Sequence, residues 1–214
     1  MNEMMHVQTA ERPKLGSALI YRTALELVDQ NGFDSLSMRG LAKVMGVDPM
    51  ALYHHVPKKS ALLDGMLNLL FEEVVVPSIS DLPWQEAVVA VARTHLEVAR
   101  RHPNLFPALS VHPRAVPASF PLSEALYEAL SRSGASEATV IQAAETVASY
   151  TTGYALSDIV GAIGKPRDWE SLSENFDHRP DGWLCNLRER SGADRPDFET
   201  GLQFILAGVA ASVR

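Results

Sequence analysis

SMRGLAKVMGVDPMALYHHVPKK, residues 37–59, holds two short helical runs on either side of a glycine turn. Ser37 is a good N-cap and opens a run carrying Leu41, Ala42 and Met45. Gly46-Val47 breaks that run. Asp48 then caps a second run with Pro49 at its first position, where the missing amide would have had no partner within the helix. Leu41, Ala42, Val47, Leu52 and Val56 are the apolar positions that lock the two runs at a steep angle, with small Ala42 where they cross. The second run ends near His55-Val56-Pro57 and is too short to be stable alone. A scaffold must hold it. The pattern fits a helix-turn-helix, whose second helix lays its N-terminal residues on base edges in the DNA major groove. It also fits a tight helical corner without a ligand.

In the DNA reading, Pro49, Met50 and Ala51 meet the bases. They are small or apolar and suit thymine methyls rather than hydrogen-bonded readout. Tyr53, His54 and His55 reach phosphates, and Arg39 reaches either a phosphate or a guanine edge. Lys58 and Lys59 fall in the first turn of the next helix, where cations oppose the helix dipole. That placement disfavours the helix and makes sense where a phosphate sits against the free amides, with a lysine closing over it.

Outward from this stretch, a helix is expected from about Leu15 to Asn31, with Ile20, Ala24, Leu27 and Val28 as its stripe and a left-handed stop at Gly32. A fourth helix, about Lys58 to Val75, is apolar on more than one face and so is buried on several sides. After Pro77, prolines and glycines punctuate further helices: about Trp84 to Arg101, short pieces within 103–121, about Leu122 to Arg132, a long one after Ser136 to about Val160, and about Pro196 to Val213. Residues 164–195 read as irregular and solvated, and residues 1–13 as a mobile arm. No alternating strand pattern and no repeat is present, so the fold is expected to be all-α. The expected division is 14–60, a three-helix DNA-binding domain, and 61–214, a larger helical domain for effector binding and dimerisation.

Composition bounds the function. The chain has 214 residues, 46% of them hydrophobic and 21% charged, enough for a real core. No run approaches the roughly 18 apolar residues needed to span a bilayer, no secretory signal is visible, and Cys185 is the single cysteine. A cytoplasmic protein with no membrane partner is expected. The net charge is −7, divided as +1 over residues 1–60 (7 Lys+Arg, 6 Asp+Glu) and −8 over 61–214 (12 against 20). Only the first segment suits a polyanion, and two copies would suit it better than one. No HExxH, no paired cysteines and no glycine-rich phosphate loop appear. His102, His112, Asp158 and Asp168 are scattered without a nucleophile. An enzyme is therefore not expected, nor a cofactor or metal; a helical ligand carrier is the rival reading.

GFDSLSMRGLAKVMGVDPMALYHHVPKKSALL, from Gly32 to Leu63, closely resembles the N-terminal domain of the tetracycline-repressor (TetR) family. The match comprises the Gly-Phe after helix one, the Leu-Ala of helix two, the Gly-Val turn, the Leu-Tyr-x-His of helix three and the lysine before an apolar fourth helix. Pro57 departs from the polar residue frequent there. The resemblance implies a homodimeric, ligand-controlled transcription regulator, usually a repressor, bound to double-stranded operator DNA. By position it implies DNA contacts from Ser37, Arg39, Pro49, Met50, Ala51, Tyr53, His54, His55 and Lys59.

The rest of the chain resembles the family's second domain more loosely. In the last helix Phe198, Leu202, Ile205 and Val209 form a stripe, with Gly201, Ala207, Gly208, Ala210 and Ala211 small enough for a close partner. With Val140, Ala144, Val147, Ala148 and Thr151 of the long helix they are expected to build a four-helix dimer interface; the alternative is that they pack internally. For an unknown small-molecule effector, the candidates are Met66, His95, Phe106, His112, Tyr150, Tyr154 and Asp158, between the fourth and the long helix. Tyr150, Tyr154 and Asp158 follow at i, i+4, i+8. His112 stands near the metal-binding histidine of tetracycline repressors, but the partner carboxylate falls on Ser157, one residue from Asp158. Mg-tetracycline binding is therefore not expected.

Overall fold

The computed structural model describes residues 15–110, 116–161 and 197–213, and every regular element among them is helical. The chain divides into two compact units, Met1–Leu69 and Leu70–Arg214. The division falls inside the fourth helix, nine residues beyond the 60/61 boundary read from the sequence.

In the first unit, α1 runs Ser17–Asn31. Gly16 is extended and its carbonyl accepts the Ile20 amide at 3.1 Å, so the helix starts after it rather than at Leu15. The buried stripe is Ile20, Ala24, Leu25 and Val28; Leu25 stands where Leu27 was expected, and Leu27 is half-buried. Gly32 ends the helix at φ 81°, its amide bonded to the Val28 carbonyl at 2.8 Å. Its ψ of 161° is extended rather than helical, so the chain leaves at once into a 3-10 turn, Phe33–Ser35. Next come α2 (Met38–Met45), α3 (Pro49–His55) and α4 (Lys59–Glu72). α4 stops three residues short of Val75, because the following Val74-Val75-Val76 is β-branched and Val76 precedes a proline. Leu62, Leu63, Met66 and Leu67 of α4 are buried, and a β-carbon at Gly65 would run into the Tyr21 ring of α1.

The second unit contains α5 (Trp84–Arg101), α6 (Phe106–Ser110), a 3-10 turn (Pro117–Ser119), α7 (Phe120–Ser131), α8 (Glu137–Ile159) and α9 (Phe198–Ala211). α5 packs on α7 and α8 through small and branched side chains, among them Ala87, Val88, Val91, Ala129 and Ala144, which let the helix axes approach. Arg132, just past α7, donates to the carbonyls of Ile79 (2.8 Å) and Leu82 and so fixes the segment entering α5. Ser136 caps α8 by accepting from the Thr139 amide at 3.2 Å. Asp197 caps α9 by accepting from the Thr200 amide at 2.8 Å, and those bonds hold its carboxyl below the usual range.

The structure corrects the dimer stripe. Val140, Ala144 and Val147 of α8 and Phe198, Leu202 and Val209 of α9 are buried within the chain itself, and Ala148 and Ile205 are half-buried. Both stripes face inward because α8 packs on α5, α7 and α9, and α9 packs on α5 as well. Tyr150 lies on Gly201, stacks on Phe198 at 5.6 Å and 11°, and donates its hydroxyl to the Phe198 carbonyl at 3.0 Å. Burial, and then the nearby Tyr154 and Asp197, push the Tyr150 hydroxyl pKa up. The surface left open on these helices carries Phe204 (75% exposed), Gly208, Ala211 and Ile141.

Candidate nucleic-acid interface

The interface is built on two caps and a glycine. Ser37 Oγ accepts the Gly40 amide at 3.0 Å and starts α2. Gly46 takes the left-handed conformation, φ 67° and ψ 34°, which spares a β-carbon penalty and turns the chain out of α2. Asp48 Oδ1 accepts the Met50 amide at 2.7 Å, with Pro49 as first helical residue, and starts α3. Leu41, Ala42, Leu52 and Val56 are essentially without solvent exposure and hold α3 against α2. Seven residues could not keep a helix in water without this anchoring.

Burying Leu52 turns the opposite side of α3 outward. Met50, Tyr53 and His54, at i, i+3 and i+4, share that side; Met50 is 64% exposed and Tyr53 42%. His55 is exposed beside them, while Pro49 and Ala51 are only half-exposed. Of the three residues expected on the bases, Met50 therefore projects furthest. Arg39 is exposed in the first turn of α2. Ser37 is engaged as a cap, which leaves its hydroxyl proton as the group it can offer a phosphate.

At α4, the Lys58 carbonyl accepts from the amides of Ala61 (3.0 Å) and Leu62 (3.2 Å), so Lys58 precedes the helix and Lys59 is its first residue. Both are exposed. The Lys59 ammonium lies 5.3 Å from the centre of the Phe33 ring. The stretch 37–59 carries four Lys+Arg against one Asp, a net of +3, and that Asp is the cap of α3. Electrostatically this is a small cationic face with an apolar tip, suited to phosphates at its rim and base edges at its centre.

The expected effector residues fall into separate places. His95 of α5 sets its ring edge-on to Phe106 of α6 at 5.9 Å and 85°, and burial pushes its pKa down, which favours the neutral imidazole. Tyr150 and Tyr154 are neighbours at 6.1 Å and both pack on Phe198. Asp158 is not with them: it accepts from Arg100 of α5 at 2.7 Å. Met66 is fully buried in α4, and His112 lies outside the described residues. A cleft of about 470 Å³ opens between α5 and α9, floored by Val89 and Leu206 and edged by the Arg93–Glu199 ion pair. It contains none of the expected residues. Phe33, beside Lys59, was not among the residues read as DNA contacts; its signal in the sequence was the Gly-Phe pair after the first helix.

A helix-turn-helix whose exposed second helix is flanked by Arg39, Lys58 and Lys59, followed by a second unit whose described elements are all helices, defines a DNA-binding transcription regulator. Residues 20–66 match the family described as bacterial regulatory proteins, tetR family, and residues 77–213 match the tetracyclin repressor-like C-terminal domain. An HTH-type transcriptional regulator of Saccharopolyspora erythraea is 30% identical over 96% of this chain and 89% of its own. The class A tetracycline repressor from transposon 1721 of Escherichia coli is 27% identical over 92% and 91%. The TetR family protein ActR of Streptomyces coelicolor, crystallised with (S)-DNPA, superposes with a TM-score of 0.75 at 25% identity, covering 94% of this chain and all of that one. The chain belongs to the TetR family of bacterial transcription regulators.

Proposed function

We propose that the chain represses transcription in the cytoplasm as a homodimer on a palindromic operator, that it acts by binding without a catalytic step, and that a small molecule releases it. The DNA contacts are Ser37, Arg39, Met50, Tyr53, His54, His55, Lys58 and Lys59, with Pro49 and Ala51 beside them. The observation that carries this reading is the outward side of α3, where Met50, Tyr53 and His54 stand exposed together on a helix capped by Asp48 and anchored by Leu52. The exposed apolar side chain of Met50 suits a thymine methyl.

For the effector, the family's ligand-bound members and the neutral His95 beside Phe106 support a largely apolar molecule carrying a hydrogen-bonding group. Tyr150 and Tyr154 supply further polar tips. Asp158 is engaged by Arg100 and is the weakest member of the expected set. For the dimer, the open side of α8 and α9 replaces the stripes read from the sequence: nothing lies within 4 Å of a β-carbon built at Gly153 or Gly208, so another backbone could come close.

The test is selection of bound duplexes from a random DNA pool, followed by gel shifts. Tyr53→Ala and Lys59→Ala are each expected to weaken the selected site at least tenfold, and binding is expected to fall steeply with salt. Wild-type affinity in both variants would overturn this assignment of the reading head. A carrier would recover no duplex at all.

A further inference from the structure

We propose that Phe33 is a positioning residue for DNA binding: its ring holds the Lys59 ammonium at the start of α4, where the phosphate backbone is met. This rests on the DNA reading above and adds a residue to it. Lys59 is the first residue of α4 and exposed, so its own helix repels the charge and four rotatable bonds leave it free to wander. The ammonium is nevertheless 5.3 Å from the Phe33 ring centre, within cation–π range.

The ring is on a fixed support. The Gly32 amide bonds the Val28 carbonyl at 2.8 Å, and the Gly32 carbonyl accepts from the Ser35 amide (3.2 Å) and hydroxyl (2.6 Å). The Leu36 amide closes the turn on the Phe33 carbonyl at 3.1 Å, and Leu36 is 2% exposed. A three-residue turn tied at both ends thus carries an aromatic ring that is itself only half-buried, with surface to spare for a cation. An ammonium resting on a ring keeps N–H bonds on its far side for a phosphate oxygen. Ordering that side chain before DNA arrives removes part of the cost of ordering it on binding.

The experiment uses the duplex selected by the wild-type protein. Phe33→Leu keeps apolar bulk but removes the π face. It is expected to weaken each half-site about two- to fivefold and to flatten the fall of affinity with salt, in the same direction as Lys59→Met. Phe33→Tyr is expected to restore both. In a Lys59→Met background, Phe33→Leu is expected to cost nothing further. An equal loss with and without Lys59 would mean that Phe33 is only structural and would overturn the proposal, as would unchanged affinity and salt slope in Phe33→Leu. A second measurement needs no variant: in the intact wild-type protein, the ring should shift the Lys59 ε-methylene protons upfield of those of Lys58 in the NMR spectrum, and coincident shifts would overturn it. Failure of the wild type to select any duplex would remove the DNA reading together with this one, whereas binding without coupling removes this one alone.

Discussion

His95 lies half-buried on α5 with its ring edge against Phe106, and burial pushes its pKa below the ordinary 6.5. The unfolded chain therefore takes up a proton near pH 6.5 that the folded chain resists. Stability from this residue is fully present above that pH and is lost as pH falls through the lower folded value. Urea denaturation from pH 8 to 5 is expected to show wild-type stability declining on the acid side more than that of His95→Gln; parallel curves would mean that the imidazole titrates alike in the folded and the unfolded chain. The same scale explains why the Tyr150, Tyr154 and Asp158 set came apart. Successive i+4 steps each turn about 40° around a helix, so Asp158 stands about 80° from Tyr150. That is enough for the tyrosines to face α9 and the aspartate to reach Arg100 on α5.

Most helix ends were legible, because local chemistry sets them. Ser37 and Asp48 are caps in the structure as in the sequence, the long helix starts after Ser136 as expected, and Gly46 turns the chain between the reading helices. The reading head was legible for the same reason: its geometry depends on residues within a short span. The inward sides of α8 and α9 were not. Both helices carry small or apolar residues on most sides, so periodicity could not tell the surface that meets the chain's own core from one that meets a partner. Long-range packing decides it, chiefly the Tyr150 ring seated on Gly201. Gly201→Ala puts a methyl where that ring lies and is expected to destabilise the fold by about 1–3 kcal/mol, the usual cost of overpacking. Thermal denaturation checks this.

At the scale of the molecule, charge and size argue for a pair. Residues 1–60 carry a net of only +1 and residues 61–214 a net of −8, so one reading head attached to an acidic body meets DNA weakly. Two heads about 34–36 Å apart, one DNA turn, multiply their affinities and read a palindrome. The pair must be held by some surface, and Phe204 is the large apolar side chain that the fold leaves most open on α9, 75% exposed beside Gly208 and Ala211. A phenylalanine exposed to that degree in a helix rich in small residues offers a partner helix an apolar anchor with room for close approach. Phe204→Glu should therefore yield a monomer by light scattering and lose operator affinity by orders of magnitude, with far-ultraviolet circular dichroism and α3 itself unchanged. A dimer that persists in Phe204→Glu would place the interface elsewhere. A monomer that still bound the full palindrome as tightly as wild type would mean that the heads do not depend on each other, and the weak charge of a single head would then need another source of affinity.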